Sequence, residues 1–124
     1  MKIWTTYYAG LKKLPRHILP VSIAGWPPKG WKGEEYTKVA PRRSFFREYK
    51  ETGDQESYTI NYYLTVLLEL SKESVVKDLE NILSRHPECT EIALVCYEKP
   101  EDFCHRHILA AWLEEYNIKE WEEK

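Results

Sequence analysis

Residues 92–113 read IALVCYEKPEDFCHRHILAAWL, and this stretch limits the fold more than any other part of the chain. Ile92 to Val95 are apolar at every position. A strand with one solvated face alternates, whereas a run apolar on both faces suits the centre of a covered parallel sheet. The run ends at Cys96, a polar turn with Pro100 follows, and apolar residues then return at helical spacing. In α/β sheets, ligands sit outside the carboxyl ends of strands, where the next helix begins. That place holds Cys96, Cys104, His105 and Arg106, with Glu98, Glu101 and Asp102 close by.

The rest of the chain extends the pattern. Residues 2–8 are rich in β-formers and predict a first strand, and residues 18–24 a second. Pro20 is expected at the start of its paired region, because proline donates nothing to a ladder. Residues 25–41 combine Gly25, Pro27, Pro28, Gly30, Gly33 and Pro41 with Trp26, Trp31 and Tyr36, which reads as a long ordered loop. Helices follow. Ser44 is expected to cap the first, which stops at Gly53, and Asp54 the second, with Ile60, Tyr63, Leu64, Leu67 and Leu68 at helical spacing. Ser71 is expected to cap the third, with Val75, Val76, Leu79, Ile82 and Leu83 facing inward. The strand through Cys96 is expected over residues 90–97. A helix over 102–116 ends at Asn117, and residues 118–121 form a short last strand. Strands alternating with helices argue for a single α/β domain over residues 1–124, a three-layer α/β/α sandwich with a small, mostly parallel sheet.

Composition sets further bounds. No window is apolar enough to span a membrane, and the first residues lack the apolar core of a secretory signal. Cys89, Cys96 and Cys104 are too few, and odd in number, for a disulfide framework, so a reducing, cytoplasmic setting is expected. Residues 1–50 carry 11 Lys or Arg against 3 acids, and the remainder 7 against 17. That asymmetry points to an anionic ligand near the first half, or to two halves that attract each other.

On a helix turning about 100° per residue from Cys104, Cys104 and His105 flank the buried stripe made by Ile108, Trp112 and Leu109. Arg106 is then expected to reach over the rim, and His107 to face solvent. Exposed N–H groups of the first turn favour a thiolate at Cys104 and an anion beside it. Arg106 would grip a phosphate or carboxylate at two points. His105 would move protons, with Glu98 or Asp102 fixing its tautomer. The structural alternative for each residue is plain: a buried thiol, a histidine bonded to a carbonyl, an arginine paired with a nearby acid.

Several chemistries do not fit. Cys96 lacks the arginine that closes a phosphatase loop, and Cys96 and Cys104 are too far apart in sequence for a C-x-x-C redox motif. Cys89, Cys96, Cys104 and His105 match no zinc spacing, and adjacent ligands at 104 and 105 are expected to diverge, so no metal is expected. No dinucleotide or phosphate-loop signature occurs, and no cofactor is expected.

At Cys96, Glu98, Pro100, Cys104, His105 and Arg106, followed by Leu109 and Ala110, the chain resembles the domain-of-unknown-function family 488. The segment SIAGWPPKGWKGEEYTKVAP, with Trp31-Lys32-Gly33, Tyr36 and Ala40-Pro41, is similar to a short subgroup of it. Longer relatives carry Gly-His-Ser near the start and Asp-x-Arg after the second strand, where this chain has Thr5-Thr6-Tyr7 and Ser22-Ile23-Ala24. The resemblance implies a compact α/β/α fold with a pocket at the Cys-His-Arg segment, and it supplies no reaction.

Three functions compete. The first is binding of, or action on, a small anionic, nucleotide-like ligand. Arg106 would hold the anion, and Trp26, Trp31 or Tyr36 would stack on a ring. Lys29, Lys32, Arg42 and Arg43 would add positive potential, Glu98 would line the site, Cys96 or Cys104 would be the nucleophile and His105 the base. The second is nucleic-acid binding through the basic, aromatic residues 26–50. The third is a structural protein in which Cys-His-Arg only locks a helix start.

Overall fold

The computed structural model describes residues 1–122. Five strands form one sheet: β1 (Lys2–Tyr7), β2 (Ile18–Ser22), β3 (Glu34–Glu35), β4 (Glu91–Cys96) and β5 (Lys119–Glu120). Their order is β3-β2-β4-β1-β5, and every pairing is parallel. β4 is central, paired along its full length with β1 and from Glu91 to Val95 with β2. Ile92 to Cys96 are all buried, as a run apolar on both faces requires.

Handedness decides which face each connection covers. The links β1–β2 and β2–β3 run one way across the sheet, and β3–β4 and β4–β5 run back. Right-handed crossovers then put the two pairs of links on opposite faces. All four α-helices belong to the returning pair: α1 (Arg43–Thr52), α2 (Gln55–Thr65), α3 (Lys72–Ser84) and α4 (His105–Trp112). Their buried side chains share one core with Ile3, Leu19, Val21, Ile92 and Leu94. The register confirms a common face, since Ile3 and Leu19 both oppose Ile92. The layer on the other face is thin. It consists of the 3₁₀ segment Tyr8–Lys13 and the loop bearing Trp31, whose ring meets Tyr8 at 5.4 Å between centroids.

Local chemistry explains the element ends. Asp54 Oδ1 accepts the Ser57 N–H at 3.0 Å, and Ser71 Oγ accepts that of Ser74 at 3.1 Å, so both act as the expected caps. Gly53 closes α1 with φ 68°, and Asn117 ends the α4 region with φ 52°. Ser44 does not cap, because α1 already begins at Arg43. The expected helix over 102–116 is shorter: α4 begins at His105, and its last turn tightens into a 3₁₀ segment, Glu114–Tyr116. Pro20 lies in the middle of β2 rather than at its start, where β3 reaches only Val21 and Ser22.

α2 turns a different face inward from the one its aliphatic spacing predicts. Ile60, Tyr63, Leu64 and Leu68 are exposed, while Tyr58, Tyr62, Val66 and Leu67 are buried. The aromatic rings win because they have partners. Tyr58 packs edge-on to Phe45 and Phe103, and the Tyr62 hydroxyl donates to the Val39 carbonyl at 2.6 Å. α2 also stops at Thr65, so Leu67 and Leu68 fall outside its periodicity. Tyr62→Phe strands the Val39 carbonyl in the core and is expected to destabilise the fold by about 1–3 kcal/mol, read from urea unfolding midpoints. Among the described residues, no helix is long and apolar enough to cross a membrane.

Candidate functional site

β2 leads off toward β3 and β4 toward β5, in opposite directions. Two neighbouring parallel strands that part in this way leave a crevice at their carboxyl ends. A cleft of about 390 Å³ fills it. The chain after β2 contributes Ala24, Gly25 and Trp26, β4 and its turn contribute Cys96, Tyr97 and Glu98, and α1 contributes Phe46 and Lys50. Cys96 and His105, 1% and 5% exposed, form the floor.

Cys96 is the last residue of β4 and Cys104 the residue before α4, so the turn over 97–103 brings the two sulfurs together. They are joined in a disulfide, where the odd cysteine count predicted separate thiols. The turn returns on itself, and pairing depends on that proximity rather than on the total. Cys89 stays free at the opposite end of β4, beside the Arg16 carbonyl at 3.5 Å. Cys104 faces a smaller recess next to the cleft, with Phe103 and Tyr58.

His105 is fixed by the backbone. Its Nε2–H donates to the Ile23 carbonyl at 2.9 Å, leaving the Nδ1 lone pair 3.9 Å from Cys104 Sγ. The tautomer is thus set by the chain beyond β2, and not by Glu98 or Asp102 as expected. Burial, with the Arg106 charge beside it, holds the His105 pKa down at about 4 against an ordinary 6.5. The ring is neutral at physiological pH.

Arg106 departs most from expectation. It does not reach over the rim and is 0% exposed. Nε and Nη2 each donate to the Glu120 carboxylate at 3.1 Å, and Nη1 lies 3.2 Å from Cys96 Sγ. Glu120 Oε1 also accepts the Thr5 hydroxyl at 2.7 Å. The helical count fails because the buried stripe runs through His105, Arg106, Leu109 and Leu113, while Ile108 and Trp112 are only half-buried; Cys104 itself is extended, at φ −155° and ψ 146°, and stands before the helix. His107 likewise turns inward. It is half-buried, its Nε2 has no hydrogen-bond partner, and burial lowers its pKa. Glu120 escaped the sequence reading. The one available signal is that a buried arginine requires a carboxylate, and proximity in sequence pointed to the wrong acids.

The aromatic residues divide. Trp26 stands at the rim, 50% exposed, with the Arg43 guanidinium 4.3 Å from its ring centroid. Its carbonyl accepts the Tyr97 hydroxyl. Trp31 lies under the sheet end against Tyr8, which also meets Tyr97 at 4.7 Å between centroids. The Trp31 ring folds over Gly33, where a Cβ would come within 2.8 Å of it. Tyr36 is buried on the α3 side, its hydroxyl donating to Asp78 Oδ2 at 2.6 Å. Lys32 is exposed in the loop. Of the expected site residues, the cleft therefore gathers Cys96, Glu98, His105 and Trp26, with Cys104 adjoining. Arg106, Trp31, Lys32 and Tyr36 do not line it. Lys50 and Phe46, one helical turn apart on α1, also line it; the sequence singles them out only as part of the basic, aromatic residues 26–50 of the nucleic-acid alternative.

The profile of the DUF488-N3a family, described as the active DUF488-N3 subclade, matches residues 4–117. The chain belongs to the DUF488 family. No curated protein and no solved structure matches it. The DUF488 match takes in every residue that lines the cleft, whereas Glu120, the partner of Arg106, lies just past it. The description of the subclade names no reaction.

Proposed function

We propose that this protein binds a small, flat, anionic ligand of nucleotide-like shape in the cleft between the ends of β2 and β4. The observation that carries this reading is the cleft itself, at the switch point of a parallel sheet and within the volume range of small-molecule sites. Trp26 and Phe46 offer apolar ring surface. Lys50, and Arg43 over the Trp26 ring, supply positive charge at the entrance, and Glu98 orients the anion away from the β4 turn. Arg106 has no part in gripping the anion, because its charge is paired with Glu120 inside the protein.

Thermal melting with a panel of nucleotides and sugar phosphates tests this. At least one compound is expected to raise the Tm of the wild type in a saturable way, with the rise lost in Trp26→Ala and reduced in Lys50→Ala. A panel without effect, or one that shifts all three proteins equally, removes the reading.

A further inference from the structure

We propose that, once their disulfide is reduced, Cys96, Cys104 and His105 together hold a thiophilic divalent cation of the zinc class at the floor of the cleft. This deepens the cleft reading by naming the reactive group beneath the ligand, and it rests on that reading only for what approaches the cation.

The donor atoms are already gathered. Cys96 Sγ, Cys104 Sγ and a His105 ring nitrogen lie within 4.8 Å of one another, and all three residues are buried. Neighbouring ligands at 104 and 105 diverge when both are helical. Cys104 is extended and stands outside the helix, so its side chain does not follow the helical rotation. The Cα atoms of the two cysteines are 7.6 Å apart, wider than the roughly 4.4–6.8 Å usual for a bridged pair. That spacing gives the reduced sulfurs room for the separation of about 3.8 Å that two thiolates take around a tetrahedral zinc.

The surroundings are those of a ligand set. A metal-bound histidine commonly donates its other ring N–H to a carbonyl, which fixes ring and tautomer. His105 does this through Nε2 to Ile23, leaving Nδ1 3.9 Å from Cys104 Sγ. Arg106 Nη1, held in place by Glu120, sits 3.2 Å from Cys96 Sγ, where it would donate to a thiolate. The Arg106–Glu120 pair is neutral as a unit, so two thiolates balance a divalent cation. Three protein ligands leave a fourth position, the arrangement of catalytic rather than structural zinc. Because Cys96 and His105 form the cleft floor, that position opens toward the bound ligand, with Glu98 Oε2 3.9 Å from Cys96 Sγ beside it.

A dithiol reductant gives two electrons and two protons to the Cys96–Cys104 bond and leaves as its own disulfide. The cation then displaces the two thiol protons.

The test is cobalt(II) titration of the dithiol-reduced protein, followed by zinc competition. Expected are one equivalent of cobalt, a thiolate-to-cobalt charge-transfer band, and displacement by zinc. Cys89→Ser should leave all three unchanged. His105→Ala should weaken zinc binding by more than the roughly 10–100-fold that loss of an outer partner costs. Zinc should also protect Cys96 and Cys104, but not Cys89, from alkylation in the wild type, a readout that depends on no variant folding. A reduced wild type with no charge-transfer band, or with all three thiols alkylated equally with and without zinc, overturns the proposal. A small anion that changes the visible cobalt bands marks the open position, and unchanged bands overturn that part. The two readings fail separately: cobalt binding without any nucleotide effect sinks the cleft ligand, and a nucleotide effect without cobalt binding sinks the metal.

Discussion

Glu120→Ala is expected to cost about 3–5 kcal/mol of folding free energy, because it leaves a guanidinium charged, buried and without its carboxylate. Arg106 is completely buried, and two of its three nitrogens bond to Glu120. The third faces Cys96 Sγ, and sulfur is a weak acceptor. The substitution lies at the edge of the sheet, in a strand that pairs with β1 through only two residues, so an effect of this size would not be guessed from its position. Burying the pair was itself expensive, so removing both charges is expected to restore most of the loss. Arg106→Met with Glu120→Leu should approach wild-type stability in urea unfolding. A loss below about 1 kcal/mol in the single variant would show that Arg106 finds water or another acid.

Stability is expected to fall by about 3 kcal/mol between pH 6.5 and pH 4 because of His105. In the folded protein the ring is held neutral down to about pH 4, and its ordinary value is 6.5. The unfolded chain therefore binds a proton in this window that the folded chain refuses. Stability is complete above pH 6.5, declines as the pH drops, and declines no further on this account below about 4. The gap between the two values corresponds to about 3 kcal/mol. His107, also lowered by burial, adds in the same direction. The lowered carboxyls of Glu34 and Asp78 come into play only as the pH passes their ordinary 4.5 and 3.8. Urea melts across pH 4–8 check this, with His105→Gln as the comparison. Glutamine keeps a donor for the Ile23 carbonyl but does not titrate, so the slope between 6.5 and 4 should shrink. An equal slope in both proteins would place the titration elsewhere.

The strand-to-helix junction that lines the cleft was legible in the sequence, and the wiring of its side chains was not. The run Ile92 to Val95 announced a central parallel strand, and the polar turn with Pro100 announced a strand-to-helix junction. Both are local signals carried by adjacent residues. Asp54, Ser71, Gly53 and Asn117 marked helix ends for the same reason: caps and left-handed positions are one-residue decisions. The failures are all long-range. Arg106 reads as a rim residue because nothing near it in sequence announces Glu120. His105 reads as the partner of a nearby carboxylate because Ile23 is 82 residues away. The disulfide went unforeseen because a count of cysteines says nothing about how a turn folds back. The inward face of α2 is not legible because apolar spacing takes no account of ring contacts: Tyr58 meets Phe45 and Phe103, and the Tyr62 hydroxyl finds the Val39 carbonyl.

The aromatic chain on the far side of the sheet carries a practical consequence. Trp31 rests on Tyr8, Tyr8 on Tyr97, and the Tyr97 hydroxyl holds the backbone that bears Trp26. An indole outside the cleft is thereby tethered to one that lines it. With the other tryptophans changed to phenylalanine, the emission of this pair would report directly on the surroundings of the rim, with no dye attached.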